Sequence, residues 1–86
     1  MRVDKFLKVS RILKRRSVSK ELAIHQRILV NDKLAKPSTN IEPLDIITIT
    51  FGRKVMSFRV LEITQQASKH DAQMMYEVVS EHYLDD

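Results

Sequence analysis

Eight basic side chains crowd the first twenty residues of this chain, where Asp4 is the single acid. Four of these cations follow one another at intervals of three or four residues: Lys5, Lys8, Arg11 and Arg15. On one continuous helix this spacing would place all four on a single flank. A row of phosphates suits such a flank, because each cation that neutralises a phosphate releases counterions. Arginine adds a planar fork that holds a phosphate with two hydrogen bonds.

A solvated basic face is the ordinary alternative, since charge runs on helices usually mean no more than that. Here the cations are like-charged neighbours with no acid between them, a pattern that mildly destabilises an isolated helix. Asp4 can serve Lys8 at most. The sequence therefore favours an anionic partner for this segment.

Charge is strongly polarised along the chain. Residues 61–86 hold one lysine against six acids, the reverse of residues 1–20, although the whole chain carries +4. A basic end and an acidic end give a molecule a preferred orientation toward a polyanion. The chain has no cysteine, so disulfides and thiolate metal sites are excluded. No apolar run reaches signal-peptide or membrane-spanning length, and we expect a cytoplasmic protein.

Hydrophobic spacing predicts the elements that must position the basic residues. Apolar side chains recur at helical intervals over about residues 3–13, which predicts a first helix. Ser17 is a candidate N-cap for a second helix over about residues 18–25. Because so few residues separate the two helices, they should pack as a tight pair.

Farther along, the pattern changes to that of strands. Asn31-Asp32 lies between two short apolar runs and predicts a hairpin turn, because both residue types tolerate positive φ. Alternation over residues 46–51 and 55–63 predicts two strands. An apolar stripe at helical spacing then predicts a helix over about residues 71–83.

Together these elements predict an α/β domain of the α+β type. Two N-terminal helices should pack on a small, mainly antiparallel sheet, with a C-terminal helix added. We expect residues 1–86 to form a single domain of the length typical for one small core. The strand extension and the C-terminal helix would lie in residues 51–86. Residues 84–86 should fray.

The opening residues resemble the start of the S-four-type RNA-binding domain, which is built on an alpha-L motif. The resemblance lies in Met1-Arg2-Val3-Asp4-Lys5-Phe6-Leu7-Lys8-Val9-Ser10-Arg11 and in Lys14-Arg15-Arg16-Ser17. It continues in Arg27-Ile28-Leu29-Val30-Asn31 and in Pro43-Leu44-Asp45. The resemblance implies a single RNA-binding domain over residues 1–86, with its core motif in about residues 1–50. Over nearly its full length the chain is similar to the RqcP-like proteins. These are stand-alone members of the family, related to the fifteen-kilodalton heat-shock protein.

The resemblance implies a role in ribosome-associated quality control. RqcP-like proteins bind large ribosomal subunits that still hold peptidyl-tRNA after a stalled ribosome has split, and they contact 23S rRNA and the tRNA. They support RqcH, which adds a C-terminal alanine tail to the stalled chain. The resemblance implies these RNA-facing positions: Arg2, Asp4, Lys8, Arg11, Arg15 and Arg16. The same basic run adds Lys5 and Lys14 to the residues that we predict to bind RNA. Asp4 would orient an arginine or accept a hydrogen bond from a ribose hydroxyl or base.

Three residues depart from the family pattern, which usually has glycine at their positions: Gln26, Asp32 and Leu44. Glutamine at a left-handed helix cap costs roughly 1 kcal/mol relative to glycine. These positions shape turns rather than the basic surface, so we expect local geometry to be affected more than RNA binding.

Other chemistry finds little support. His25, His70 and His82 are far apart in sequence and lack clustered carboxylates as co-ligands, so we expect no metal site. The serines lack a Gly-rich elbow, and a single glycine excludes a phosphate-binding loop. We therefore expect a non-catalytic protein without cofactors, and a monomer. Met74 and Met75 could line a partner groove, but at helical spacing methionines are more often core.

Two other functions remain open. One keeps RNA binding but changes the role to recycling of large subunits after heat shock, or to ribosome assembly. The other is a protein-interaction module whose acidic C-terminal helix recruits a partner. Deletion of residues 71–86 should separate the last function from RNA binding.

Overall fold

Three helices and five strands make up the computed structural model, which describes residues 1–85. The helices are α1 (Val3–Val9), α2 (Arg16–Ile24) and α3 (Lys69–Gln73). The strands are β1 (Ile28–Val30), β2 (Lys33–Leu34), β3 (Ile46–Phe51), β4 (Lys54–Val60) and β5 (Tyr76–Tyr83). They form one antiparallel sheet in the order β2-β1-β3-β4-β5. The α+β fold class is confirmed. The prediction that residues 84–86 fray includes Asp86, which lies outside the described residues.

One apolar core joins α1 to the sheet. Val3, Phe6 and Leu7 of α1 are fully buried, and so are Ile47 and Ile49 of β3. The period of 3.6 residues in the helix and of two in the strand turns each set of side chains toward the same interior. The same packing fixes α1, and with it the basic residues that α1 carries.

The first helix is shorter than its hydrophobic spacing predicts. It ends at Val9, and Arg11 adopts a left-handed backbone with φ 64°. Leu13 is still buried, because its N–H donates to the Leu7 carbonyl (3.0 Å) and the turn folds back onto the core. The prediction of one helix over residues 3–13 is therefore wrong: the apolar spacing continues past the point where the helix stops.

The second helix and the hairpin follow the expected order. α2 begins at Arg16 rather than Val18, and its N-cap is Arg15, so Ser17 lies inside the helix. Asn31 and Asp32 have φ of 52° and 66°, which confirms the tight turn between β1 and β2.

The C-terminal segment is mostly strand, which corrects the predicted helix over residues 71–83. Ser68 accepts a hydrogen bond from the Asp71 N–H (3.1 Å) and caps α3, which ends at Gln73. β5 then pairs with the edge of β4. The free edge of β4 satisfies the backbone of this segment, and that tertiary pairing overrides the helical spacing of its apolar residues.

Left-handed backbone occurs at each position where the family usually has glycine. Gln26, Asp32 and Leu44 have φ of 61°, 66° and 77°. The turns keep the conformation that glycine adopts freely, although the side chains at these positions disfavour it.

Candidate nucleic-acid interface

The start of α1 is tied to the loop that follows β2. The Met1 ammonium donates to Asn40 Oδ1 (2.7 Å), and the Val3 N–H donates to the Thr39 carbonyl (2.8 Å). Arg2 forms an isolated antiparallel bridge with Asn40. These contacts fix the backbone on both sides of Arg2, so its side chain projects from a defined position.

Asp4 is the centre of a charged cluster in the first turn of α1. Its Oδ1 and Oδ2 accept hydrogen bonds from Arg2 Nε (3.1 Å) and Arg2 Nη2 (3.0 Å). Arg16 Nε lies 3.3 Å from Asp4 Oδ2, and Arg16 Nη2 lies 3.5 Å from Asp4 Oδ1. The backbone N–H of Lys5 donates to Asp4 Oδ1 at 2.7 Å. The Asp4 side chain is 1% exposed, while those of Arg2 and Arg16 are 47% and 48% exposed.

This geometry leaves both arginines able to bind an anion. One carboxylate cannot neutralise two guanidinium groups, so the trio keeps one positive charge. A guanidinium has five N–H donors. Arg2 and Arg16 each direct two of their nitrogens at Asp4 and present the remaining donors outward. The buried carboxylate therefore holds two half-exposed arginines side by side in fixed orientations.

The N-terminus of α2 adds to the same positive region. Its first turn has no acidic residue, and its N-cap Arg15 makes no side-chain capping bond within the described chain. The positive end of the helix dipole thus coincides with basic side chains, which is unfavourable without an anion nearby. A shallow pocket of about 400 Å³ opens here. We call its lining residues the Asp4 cluster: Arg2, Asp4, Arg16, Ser17 and Lys20.

A second basic groove, of about 490 Å³, lies beside the turn after α1. We call it the Lys8 groove, and it is lined by Lys8, Val9, Arg11, Leu13, Lys14, Gln65, Gln66 and Ala67. Lys5 is linked to this side by a hydrogen bond from its ammonium to Gln65 Oε1. The left-handed backbone at Arg11 produces the turn that brings Arg11 and Lys14 to the groove. The groove combines three cations with amide and apolar side chains.

The structure divides the residues predicted to bind RNA. Arg2, Asp4 and Arg16 meet in the Asp4 cluster, whereas Lys8, Arg11 and Lys14 meet in the Lys8 groove with Lys5 beside it. Arg15 is exposed and lines neither group. The single flank expected for Lys5, Lys8, Arg11 and Arg15 is wrong, because α1 ends at Val9 and the chain reverses at Arg11.

Four polar residues of the two groups were not among the predicted site residues: Ser17, Lys20, Gln65 and Gln66. Lys20 belongs to the same basic run and follows Arg16 by one helical turn, a spacing visible in the sequence. The two glutamines come from a loop far along the chain, so only the tertiary fold places them near Lys8.

The acidic C-terminal region forms cross-strand ion pairs rather than an acidic helix surface. Arg59 pairs with Glu77, and Lys54 lies 3.0 Å from Glu81 Oε1. The hydrogen bond that the Lys54 ammonium donates to Glu81 raises the pKa of Lys54. The prediction that an acidic C-terminal helix forms a recruiting surface is therefore wrong, because Glu77 and Glu81 lie on strand β5. Deletion of residues 71–86 would also remove the buried Met75 and strand β5.

The histidines stay apart in the fold. His25 Nε2 lies 3.3 Å from Glu21 Oε2 on α2, and both side chains are largely exposed. Among residues 1–85, no group of three or more His, Asp or Glu side chains is placed to hold a metal ion. In the same range, no helix is both long enough and apolar enough to cross a membrane.

Comparison with known proteins gives a consistent family. The S4 domain model matches residues 1–47. The RQC P-site tRNA stabilizing factor of Streptococcus pneumoniae is 52% identical over 81 residues, covering 94% of this chain and 92% of that protein. The factor of the same name from Bacillus subtilis is 43% identical, covering 98% of each chain. The structure of Vibrio cholerae Heat Shock Protein 15, described as trimeric, superposes with a TM-score of 0.84 at 27% identity, covering 93% of this chain and 82% of that one.

Proposed function

This chain belongs to the S4 domain family, and on that premise we propose that it is a non-catalytic RNA-binding factor of ribosome-associated quality control. Its target is the obstructed large ribosomal subunit, where it contacts 23S rRNA and the peptidyl-tRNA. By holding that tRNA in place, it supports RqcH during C-terminal alanine tailing of the stalled chain. The names of the relatives, which cover nearly all of this chain, support the quality-control role.

The Asp4 cluster is the observation that carries RNA binding. Asp4 fixes Arg2 and Arg16, and both arginines line one pocket at the start of α2, whose first turn lacks an acid. Fixed arginine forks favour phosphate oxygens, because little side-chain entropy is lost when they bind. A-form RNA hides most base edges in a deep, narrow groove, so recognition here depends on backbone shape and phosphates.

The Lys8 groove supplies a second contact, lined by residues other than those of the Asp4 cluster. Its cations are exposed side chains without an ion pair to any described acid. Such cations attract a polyanion at a distance and add to the salt dependence of binding. Two separated basic groups suit a target in which two RNA segments lie close together, as rRNA and tRNA do on a large subunit.

The likeness to Heat Shock Protein 15 supports a second candidate, a factor that recycles large subunits without RqcH. The two roles separate in a reconstituted reaction that contains obstructed subunits, RqcH and alanyl-tRNA. The alanine-tailing role requires that this protein increase the number of alanines added. A recycling factor would bind the subunits and leave the tail length unchanged.

The test of RNA binding is sedimentation with purified large subunits, with and without peptidyl-tRNA, across a salt series. We expect the wild-type protein to comigrate with the subunits and to bind more tightly when the tRNA is present. The double variant Arg11→Ala/Arg16→Ala, which removes one arginine from each basic group, should lose binding. Lys33→Ala is the control, because it removes an exposed cation on β2 outside both groups.

Three outcomes decide between the candidates. Binding that is strengthened by tRNA and lost in the double variant supports quality control. Tight binding that is indifferent to tRNA favours recycling or assembly. Absence of comigration at low salt contradicts a ribosomal target.

A further inference from the structure

Leu44 occupies a backbone position that glycine normally holds. The Asp45 N–H donates to the Glu42 carbonyl (3.1 Å), which makes Pro43 and Leu44 the central residues of a β-turn. With proline at the first central position and φ 77° at Leu44, the turn is of type II. The Leu44 N–H donates to the Val60 carbonyl, and the Val60 N–H donates to the Asp45 carbonyl. This is the bulge whose first residue is usually a left-handed glycine.

Leucine at this position does not stabilise the fold. The left-handed conformation is unfavourable for a residue with a β-carbon. The Leu44 side chain is 73% exposed, so it also leaves apolar surface in water and contributes little to the core. An apolar residue that is both strained and exposed points to a role in contact with another molecule.

Two more exposed apolar side chains lie at the same corner of the sheet. Leu61 follows Val60, the partner of Leu44 in the bulge, and its N–H donates to the Met75 carbonyl at 2.8 Å. Met74 immediately precedes Met75. Leu61 is 38% exposed and Met74 is 55% exposed, whereas Met75 is fully buried. Backbone hydrogen bonds link Leu44 to Val60 and Leu61 to Met75, so the three exposed apolar residues lie at one corner of the sheet. We call them the Leu44 patch: Leu44, Leu61 and Met74.

The charges around the Leu44 patch indicate which kind of molecule can bind there. Glu42 begins the turn, Glu62 follows Leu61, and both are exposed. No ion pair among residues 1–85 includes either of them, and the nearby cation Arg59 is paired with Glu77. An acidic rim repels RNA and attracts a basic partner. Apolar residues inside a charged rim are typical of protein interfaces rather than nucleic-acid interfaces.

We propose that the Leu44 patch, with its rim of Glu42 and Glu62, docks a basic protein segment that carries an apolar anchor residue. The inference rests on the proposed function for the location of that segment, a protein of the large ribosomal subunit. Proteins that coat rRNA carry basic segments because rRNA is a polyanion. The basic residues of α1 and α2 would then bind RNA while the Leu44 patch binds a neighbouring protein on the same particle.

Two glycine variants separate docking from folding. Leu44→Gly relaxes the backbone and removes the apolar side chain, whereas Gln26→Gly relaxes a left-handed backbone (φ 61°) without removing an apolar contact. Both should raise the melting temperature, by about 4–8 °C. Only Leu44→Gly should weaken binding to purified large subunits carrying peptidyl-tRNA, by about tenfold, as expected for one lost buried leucine contact.

Charge reversal distinguishes a protein partner from RNA. The double variant Glu42→Lys/Glu62→Lys should weaken binding to the subunits if a basic segment sits on the rim. It should strengthen binding if RNA does, because two lysines would then face phosphates. A photo-crosslinker placed at position 44 should form its crosslink to a basic segment of a ribosomal protein, identified by mass spectrometry.

The results that overturn the inference are distinct from failure of the proposed function. If the wild-type protein does not bind large subunits, both fail. If the wild type binds and Leu44→Gly binds equally well, only the docking site fails. Crosslinks from position 44 to rRNA, to tRNA or to a second copy of this chain would also rule out a basic protein segment.

Discussion

The Asp4 cluster and the Lys8 groove share no lining residue and both are basic, yet they are built differently. In the Asp4 cluster a carboxylate that is 1% exposed holds two arginines by hydrogen bonds. In the Lys8 groove, Lys8, Arg11 and Lys14 are exposed and make no ion pair with a described acid. Fixed donors select a phosphate geometry, whereas free cations mainly add attraction at a distance. Similar charge on two surfaces can thus serve specificity on one and electrostatic attraction on the other.

The largest effect is expected from the fixed arginines. Arg2→Ala or Arg16→Ala should weaken binding to large subunits by about 10- to 100-fold, because charge-assisted hydrogen bonds contribute roughly 1.5–3 kcal/mol. Arg16→Lys should recover little, since lysine keeps the charge but not the planar fork. Affinity measured at one fixed salt concentration checks this. Full recovery by Arg16→Lys would show that charge alone matters in the Asp4 cluster.

A smaller effect of a different kind is expected from the Lys8 groove. Lys8→Ala/Lys14→Ala should lower affinity only severalfold at physiological salt, while reducing the slope of log affinity against log salt by about 1.5, for two phosphate contacts. The measurement is a salt titration of this double variant, with the wild type and the Arg16→Ala variant titrated in parallel. Equal slopes for the wild type and the double variant would remove the Lys8 groove from the RNA interface.

The smallest expected effect separates the contribution of the Arg11 side chain to binding from that of its backbone. Arg11→Ala and Arg11→Gly remove the same cation, so they should weaken binding equally. Because Arg11 has φ 64°, glycine should make the protein more stable than alanine by about 1 kcal/mol. Thermal melts and binding assays on both variants check this. A difference in binding between them would mean that the backbone of the turn, rather than the arginine side chain, controls the contact.

Sequence patterns predicted the parts of the fold whose signal is local. Asn31 and Asp32 predict a left-handed turn, because both residue types tolerate positive φ. The left-handed backbone at Arg11 carries no such signal, because arginine side chains do not favour it. The chain turns at Arg11, two residues after α1 ends, so the residue types of the site were predictable and their arrangement was not.

The C-terminal strand shows the same limit at longer range. Tyr76 and Val79 fit a helical stripe with Met75, although valine and tyrosine are residue types that favour strands. Tyr76 instead packs edge-on against Phe58, with ring centroids 5.5 Å apart, after β5 pairs with β4. Pairing with the edge of β4 makes this segment a strand. That edge is a feature of the tertiary structure rather than of the local sequence.

The variant Asp4→Asn tests most directly whether a buried carboxylate prepares the arginines for RNA. The substitution is nearly isosteric and raises the net charge from +4 to +5. If charge alone drives binding, the variant should bind large subunits more tightly than the wild type. If Asp4 positions Arg2 and Arg16, the loss of charge-assisted hydrogen bonds should free both side chains and weaken binding by about tenfold. We expect weaker binding by a variant whose circular dichroism shows it to be folded. Tighter binding by that folded variant would contradict a positioning role for Asp4.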